Sequence, residues 1–170
     1  MLPANGRRGF TLIELVAVIA ILAIIVTVAV PLFADLRTDA HRGTVAATAG
    51  SFESAVRLAN TACLATGWAG KTNLPGYGDG LVDFAANCNP TDAGTKGGST
   101  KTNLNVARCA RVWDGIQAAR PGIGKAAGCG EPWCATAKAG VCTYAYQDDA
   151  STTRQFTYGA ATGAVVVTNP

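Results

Sequence analysis

Hydrophobic and polar positions are distributed unevenly along the chain. After a short polar stretch, Met1 to Gly9 (MLPANGRRG), an apolar run extends from Leu12 to Phe33, broken only by Glu14, Thr27 and Pro31. Wound as a helix, it spans about 33 Å at about 1.5 Å per residue, long enough to cross a bilayer. Beyond Pro31 the pattern narrows to a single stripe. Val45, Ala49, Phe52, Val56 and Ala59 recur at steps of four and three, while Arg42, Ser51, Glu53 and Arg57 occupy other faces. One helix is therefore predicted from Thr11 to Ala62, although Gly43 and Gly50 each cost it roughly 1 kcal/mol relative to alanine. Pro31 lacks an N–H and is expected to kink or loosen the helix before it.

Downstream the period is lost. Residues 63–102 read as loop, richest in Gly, Asn, Asp, Pro and Thr between Trp68 and Lys101. Asp79, Asp83 and Asp92 fall in this stretch without the spacing of an EF-hand loop and are read as turn residues. A second helix is predicted over 103–120, stopped by Pro121-Gly122, with Val106, Cys109, Trp113 and Ile116 on one face. Antiparallel strands are predicted within 141–168, at 141–147, 153–158 and 164–168, with turn residues between them. Alternation puts Cys142, Tyr144 and Tyr146 on one face. A long helix packed on such a sheet makes an α+β domain.

Composition adds constraints. The 170 residues suit one compact domain plus an anchoring segment. Charged residues make up 15%, against about 25% in an ordinary soluble protein. Net charge is +3, and Arg7 and Arg8 supply two of those charges. The remainder is too small for a nucleic-acid footprint, so no specific nucleic acid is predicted as a partner. The same arginines precede the apolar run and should stay cytoplasmic, which sends the rest of the chain outward.

Six cysteines, at 63, 88, 109, 129, 134 and 142, all lie on that outward side. An even number there reads as a disulfide framework. Cys129 and Cys134 have ligand-like spacing, but no second close pair accompanies them, and the one histidine, His41, lies in the helical stretch. With no nucleophile elbow and no P-loop, neither an enzyme activity nor a metal or cofactor is predicted. Glu14 stands apart. A carboxylate in a membrane helix costs about 2.5 to 3.5 kcal/mol at the centre and less near an end, so it wants a cation. An α-amine exposed at Phe10 would supply one.

GFTLIELVAVIAILAIIVTVAVPLF resembles the N-terminus of type IV pilins and of the pseudopilins of type II secretion. The resemblance implies a pilin fold in which residues 1–9 are a leader, 10–33 a transmembrane and polymerisation helix, and 34–170 a globular head. It implies that a prepilin peptidase cuts between Gly9 and Phe10 and N-methylates Phe10. Glu14 would pair with a neighbouring subunit's amine, and the helix would loosen near Pro31 inside a filament. Many members carry a glycine near position 23, where this chain has Ala23.

Shorter segments, VWDG around Trp113, VCTYAY and YGAATGAVVVTNP, resemble pilins of the mannose-sensitive haemagglutinin (MSHA) type. That likeness implies a Cys109–Cys142 bridge between helix and strand. With it in place, Cys129–Cys134 and Cys63–Cys88 are expected, the six cysteines by themselves leaving the connectivity open. The implied function is that of a structural subunit of a surface fibre for adhesion, aggregation or motility. Its implied partners are other copies of itself, the peptidase/methylase, the pilus assembly platform and minor pilins. The precursor would sit in the inner membrane with its head in the periplasm, and the assembled fibre outside the cell. The alternatives are a type II secretion pseudopilin, a low-abundance minor pilin or adhesin, and a membrane-tethered cysteine-based metal or redox protein.

Overall fold

The computed structural model describes residues 10–149 and 153–168. The backbone falls into two compact units that divide between Ala40 and His41. Helix α1, Leu12–Thr66, belongs to the first unit up to Ala40 and to the second beyond it. In the first unit its apolar side chains are exposed on every side, from Leu12 and Ile13 through Leu32 and Phe33. The helix continues through Pro31.

In the second unit the stripe is buried. Val45, Ala49, Phe52, Val56 and Ala59 are each 2% exposed or less, and they form the helical side of the core. Helix α1 ends at Thr66, four residues beyond the predicted end. Gly67 takes a left-handed conformation (φ 63°), and the N–H of Trp68 donates to the carbonyl of Cys63 at 2.9 Å. Together with the Gly67 N–H on the Leu64 carbonyl, this is a Schellman stop.

The stretch expected to be loop contains a small antiparallel pair, β1 (Asp83–Phe84) and β2 (Pro90–Asp92). Helix α2, Val106–Ile116, is shorter than the predicted 103–120 at both ends. Asn105 caps its start, its side chain accepting the Arg108 N–H at 3.0 Å, and Leu104 just before it bridges to Gly140. At the other end Gln117 is already extended.

The main sheet has five strands in the order β3 (Ile123–Lys125), β4 (Trp133–Lys138), β5 (Val141–Tyr146), β6 (Arg154–Gly159) and β7 (Ala164–Thr168). The last three lie where strands are predicted. β3 and β4 were not predicted, and β3 pairs parallel to β4 in an otherwise antiparallel sheet. WCATAK carries three residues of low strand preference, so its pattern is faint. What fixes it is the turn to β5, where Ala139 (φ 51°) and Gly140 (φ 81°) both take positive φ, the two-residue hairpin that matches strand twist.

The sheet's inner face meets α1 and α2 through aromatic rings. The Phe52 ring lies within 5.1–5.8 Å, centroid to centroid, of Trp113, Tyr144, Phe156 and Tyr158. Trp133 adds contacts to Trp113 and Phe156. The polar tips are satisfied: the Tyr144 hydroxyl donates to the Cys109 carbonyl (2.9 Å), and the Tyr158 hydroxyl to the Pro90 carbonyl (2.8 Å). His41 packs its ring obliquely against Tyr146 at 5.6 Å. The arrangement is the pilin-like α+β fold: a long helix, a shorter helix and a mostly antiparallel sheet around one core.

Replacing Phe52 by alanine removes the ring at the centre of this cluster and should destabilise the head by about 3–5 kcal/mol. Leu58→Ala, on the exposed side of the same helix, should change stability by less than about 0.5 kcal/mol. Denaturant midpoints of the two variants check this, and similar losses would contradict the assignment of the stripe.

Candidate functional site

The first turn of α1 is built by a local exchange of hydrogen bonds. Thr11 precedes the helix and its hydroxyl accepts the Glu14 N–H at 3.3 Å. In return, the Thr11 N–H and hydroxyl both donate to Glu14 Oε2 at 3.4 Å. This is a capping box, and it holds an acid at the helix N-terminus, where the helix dipole favours negative charge. Thr11 was not singled out from the sequence, yet the signal T-x-x-E was there to be read. Phe10 stands just before it, 84% exposed, and Gly9 lies outside the described residues. Around Glu14 the exposed surface is otherwise apolar, and α1 has the length and composition to cross a membrane.

Residues 4–30 match the family model described as the prokaryotic N-terminal methylation motif. The N-terminus is thus similar to that motif over 27 of the 170 residues. One relative, the type IV narrow pilus major component PilA5 of Thermus thermophilus, is 50% identical over 52 residues, which is 31% of this chain and 45% of the relative. The chain thus spans less than half the length of that curated relative. No solved structure matches.

Beyond the matched residues, three disulfides organise the second unit. Cys63 at the end of α1 joins Cys88 in the turn between β1 and β2. Cys109 of α2 joins Cys142 of β5, and Cys129 joins Cys134 of β4 across a separation of 5 residues. Among the described residues no cysteine is free, and no group of three or more His, Cys, Asp or Glu side chains could hold a metal.

Sequence reading missed the centre of the irregular region, which is Arg108. This buried guanidinium donates to the carbonyls of Thr91 (3.0 Å), Asn103 (3.0 Å), Ser99 (3.4 Å) and Lys101, stapling residues 99–103 against β2 and α2. Beside it, Arg111 makes a two-pronged bond to Asp92, at 2.6 and 3.0 Å. Asp79 does act as a turn residue, accepting the Leu81 N–H. Asp83 and Asp92 do not: they are buried strand residues facing each other across β1 and β2.

Two carboxylates in direct register repel unless one is neutralised. Asp92 has its arginines, whereas Asp83 Oδ2 has no hydrogen-bond partner among the described residues. Burial, and secondarily the charge of Asp92, pushes the Asp83 carboxyl above its usual range, against the lowering effect of the N–H donated by Asn73. Gly98 passes so close that a Cβ there would run into this carboxylate.

The sign of the pH effect follows. A raised native pKa means that the fold prefers protonated Asp83, so its contribution is full at low pH and is lost as pH rises through the native value. Asp83→Asn keeps an acceptor for Asn73 and places a donor where the orphan oxygen stands. The variant should melt higher than the parent at neutral pH, with the gap closing as the pH is lowered into the carboxylate range. A gap of the opposite sign, or one independent of pH, would contradict the protonation.

Proposed function

We propose that this chain is a type IV pilin: a precursor cut between Gly9 and Phe10, N-methylated at Phe10 and polymerised through α1 into a surface fibre. The observation that carries the reading is the match of residues 4–30 to the methylation motif. The relative's name, a major pilus component, fits an abundant structural subunit.

The physics of α1 supports it. Apolar side chains exposed all round from Phe10 to Phe33 need either lipid or other helices beside them. A bilayer supplies the first before assembly, and neighbouring subunits supply the second in the fibre. Glu14, seated at the helix start by Thr11, then meets a neighbour's terminal amine and fixes the axial register, because an unpaired carboxylate among apolar helices is costly. Pro31 marks where the helix can loosen during packing, since its missing N–H leaves one backbone acceptor of the preceding turn without its usual donor. A prepilin peptidase/methylase, an assembly platform and minor pilins are the partners this route requires. The inner membrane and then the cell surface are its locations. The finer likeness, to MSHA-type pilins, is supported by the Cys109–Cys142 bridge between helix and strand.

Intact mass and N-terminal peptide mapping of fibres sheared from producing cells test the proposal. The expected chain starts at N-methylated Phe10 and carries three disulfides. A chain that keeps MLPANGRRG, or is cut elsewhere, would overturn it. Glu14→Ala should leave processing intact but reduce assembled fibre at least about tenfold, as expected for losing an interaction of more than about 1.4 kcal/mol per contact. Normal fibre yield from that variant would sink the register mechanism while leaving the processing result standing.

A further inference from the structure

The two edges of the main sheet are not alike. β3, at one edge, is three residues long and ends in Lys125, a short and charged strand of the kind that discourages further pairing. β7, at the other, reads Ala164-Val165-Val166-Val167-Thr168. It has no charge, no proline and no bulge in its register with β6, and among the described residues nothing pairs with its outer side. Val166 on its outward face is 51% exposed. Val167, on the same face as the buried Phe156 opposite it, is still 36% exposed, so the apolar inner face runs out to the edge without being covered. Alongside lies a groove of about 800 Å³ between Ala164 and Val165 on one side and Glu53, Val56 and Arg57 of α1 on the other.

From this asymmetry we infer that β7 is a docking edge for the β7 of a second copy of the chain, the two strands pairing antiparallel about a two-fold axis at Val166. The pairing sets Ala164 against Thr168 and Val165 against Val167, with Val166 against itself. No like charges oppose, and β-branched side chains meet across the seam, a favourable cross-strand combination. The unpaired N–H and C=O groups of each edge satisfy those of the other. Glu53 and Arg57, one helical turn apart on the groove wall, are ion-paired with each other at 2.6 Å, so the wall beside β7 is locally balanced in charge. An isologous contact of this kind closes on itself as a dimer. Within fibres, which rests on the reading above, it joins subunits of neighbouring filaments and not successive subunits of one.

The test uses the full chain, unassembled, in detergent micelles. Because the native cysteines are all bridged, one added cysteine reports one position. Val166→Cys should give a covalent dimer on mild oxidation, in at least about tenfold higher yield than Lys125→Cys on the opposite edge. Chains carrying Ala164→Cys should cross-link to chains carrying Thr168→Cys, and neither should cross-link to itself. Adding Val166→Lys to that pair should abolish the product, and mixing Val166→Lys with Val166→Glu chains should restore it. Intact mass confirms the three native bridges in every variant. Equal yields at Val166 and Lys125, self-cross-linking at Ala164, or no effect of Val166→Lys would each overturn the inference. The start of the mature chain at Phe10 is unaffected by any of these outcomes.

Discussion

The contact of Phe52 with the rings of Trp113, Tyr144, Phe156 and Tyr158 is what fixes the second part of α1 to the sheet and to α2. Its neighbours on the stripe, Val45, Ala49, Val56 and Ala59, are small, so the helix backbone can lie close while one large side chain enters the ring cluster. Ring pairs of this kind add about 0.5–1.5 kcal/mol each beyond the area they bury. The hydroxyls of Tyr144 and Tyr158 then carry the contact outward, to Cys109 in α2 and to Pro90 in β2. Helix, sheet and the irregular region are thereby referred to one point.

The same helix has to satisfy a second demand. From Leu15 to Phe33 its residues are apolar on every face, broken only by Thr27 and Pro31, as lipid or a sheath of like helices requires; from Val45 to Ala59 they are apolar on one stripe, as a core requires. No cap or break separates the two regimes. A capping box starts the helix at Thr11 and Glu14, and a glycine in left-handed conformation stops it after Thr66. The capping box of Thr11 and Glu14 thus sits at one terminus of an element whose other end is part of the core of the second unit.

How much of this could be read in advance depended on whether the deciding physics was local and periodic. The apolar run, the stripe through Phe52, and the strands at 141–146, 154–159 and 164–168 all repeat with a period, and the fold class followed from them. Thr11 and Gly67 were legible but unused, since T-x-x-E and a glycine after the last periodic residue are known terminal signals. β1 and β2 were not legible, being only two and three residues long and including Pro90. Arg108 was illegible for a different reason. An arginine in an amphipathic helix looks like a solvated charge, and only the fold brings four carbonyls to Arg108. The opposed pair Asp83 and Asp92, nine positions apart in a stretch rich in turn residues, gave no hint of burial.

That irregular stretch explains the tethers that converge on it. Between Gly67 and Asn105 the described chain has only two short strands, so its ordering entropy, about 1–2 kcal/mol per residue, is poorly offset by regular hydrogen bonding. Its apolar anchors are few, chiefly Leu74, Val82 and Phe84. Three tethers make up the difference. Cys63–Cys88 ties the middle of the stretch to α1, Arg108 gathers its later carbonyls onto α2, and Asn87 and Asn89 bond the carbonyl of Ala160 at the turn between β6 and β7. A disulfide typically contributes about 2–4 kcal/mol by limiting the unfolded chain. In the outward location that the proposed function assigns to the head, oxidised cysteines are stable, so covalent links can hold a segment that burial alone would leave loose.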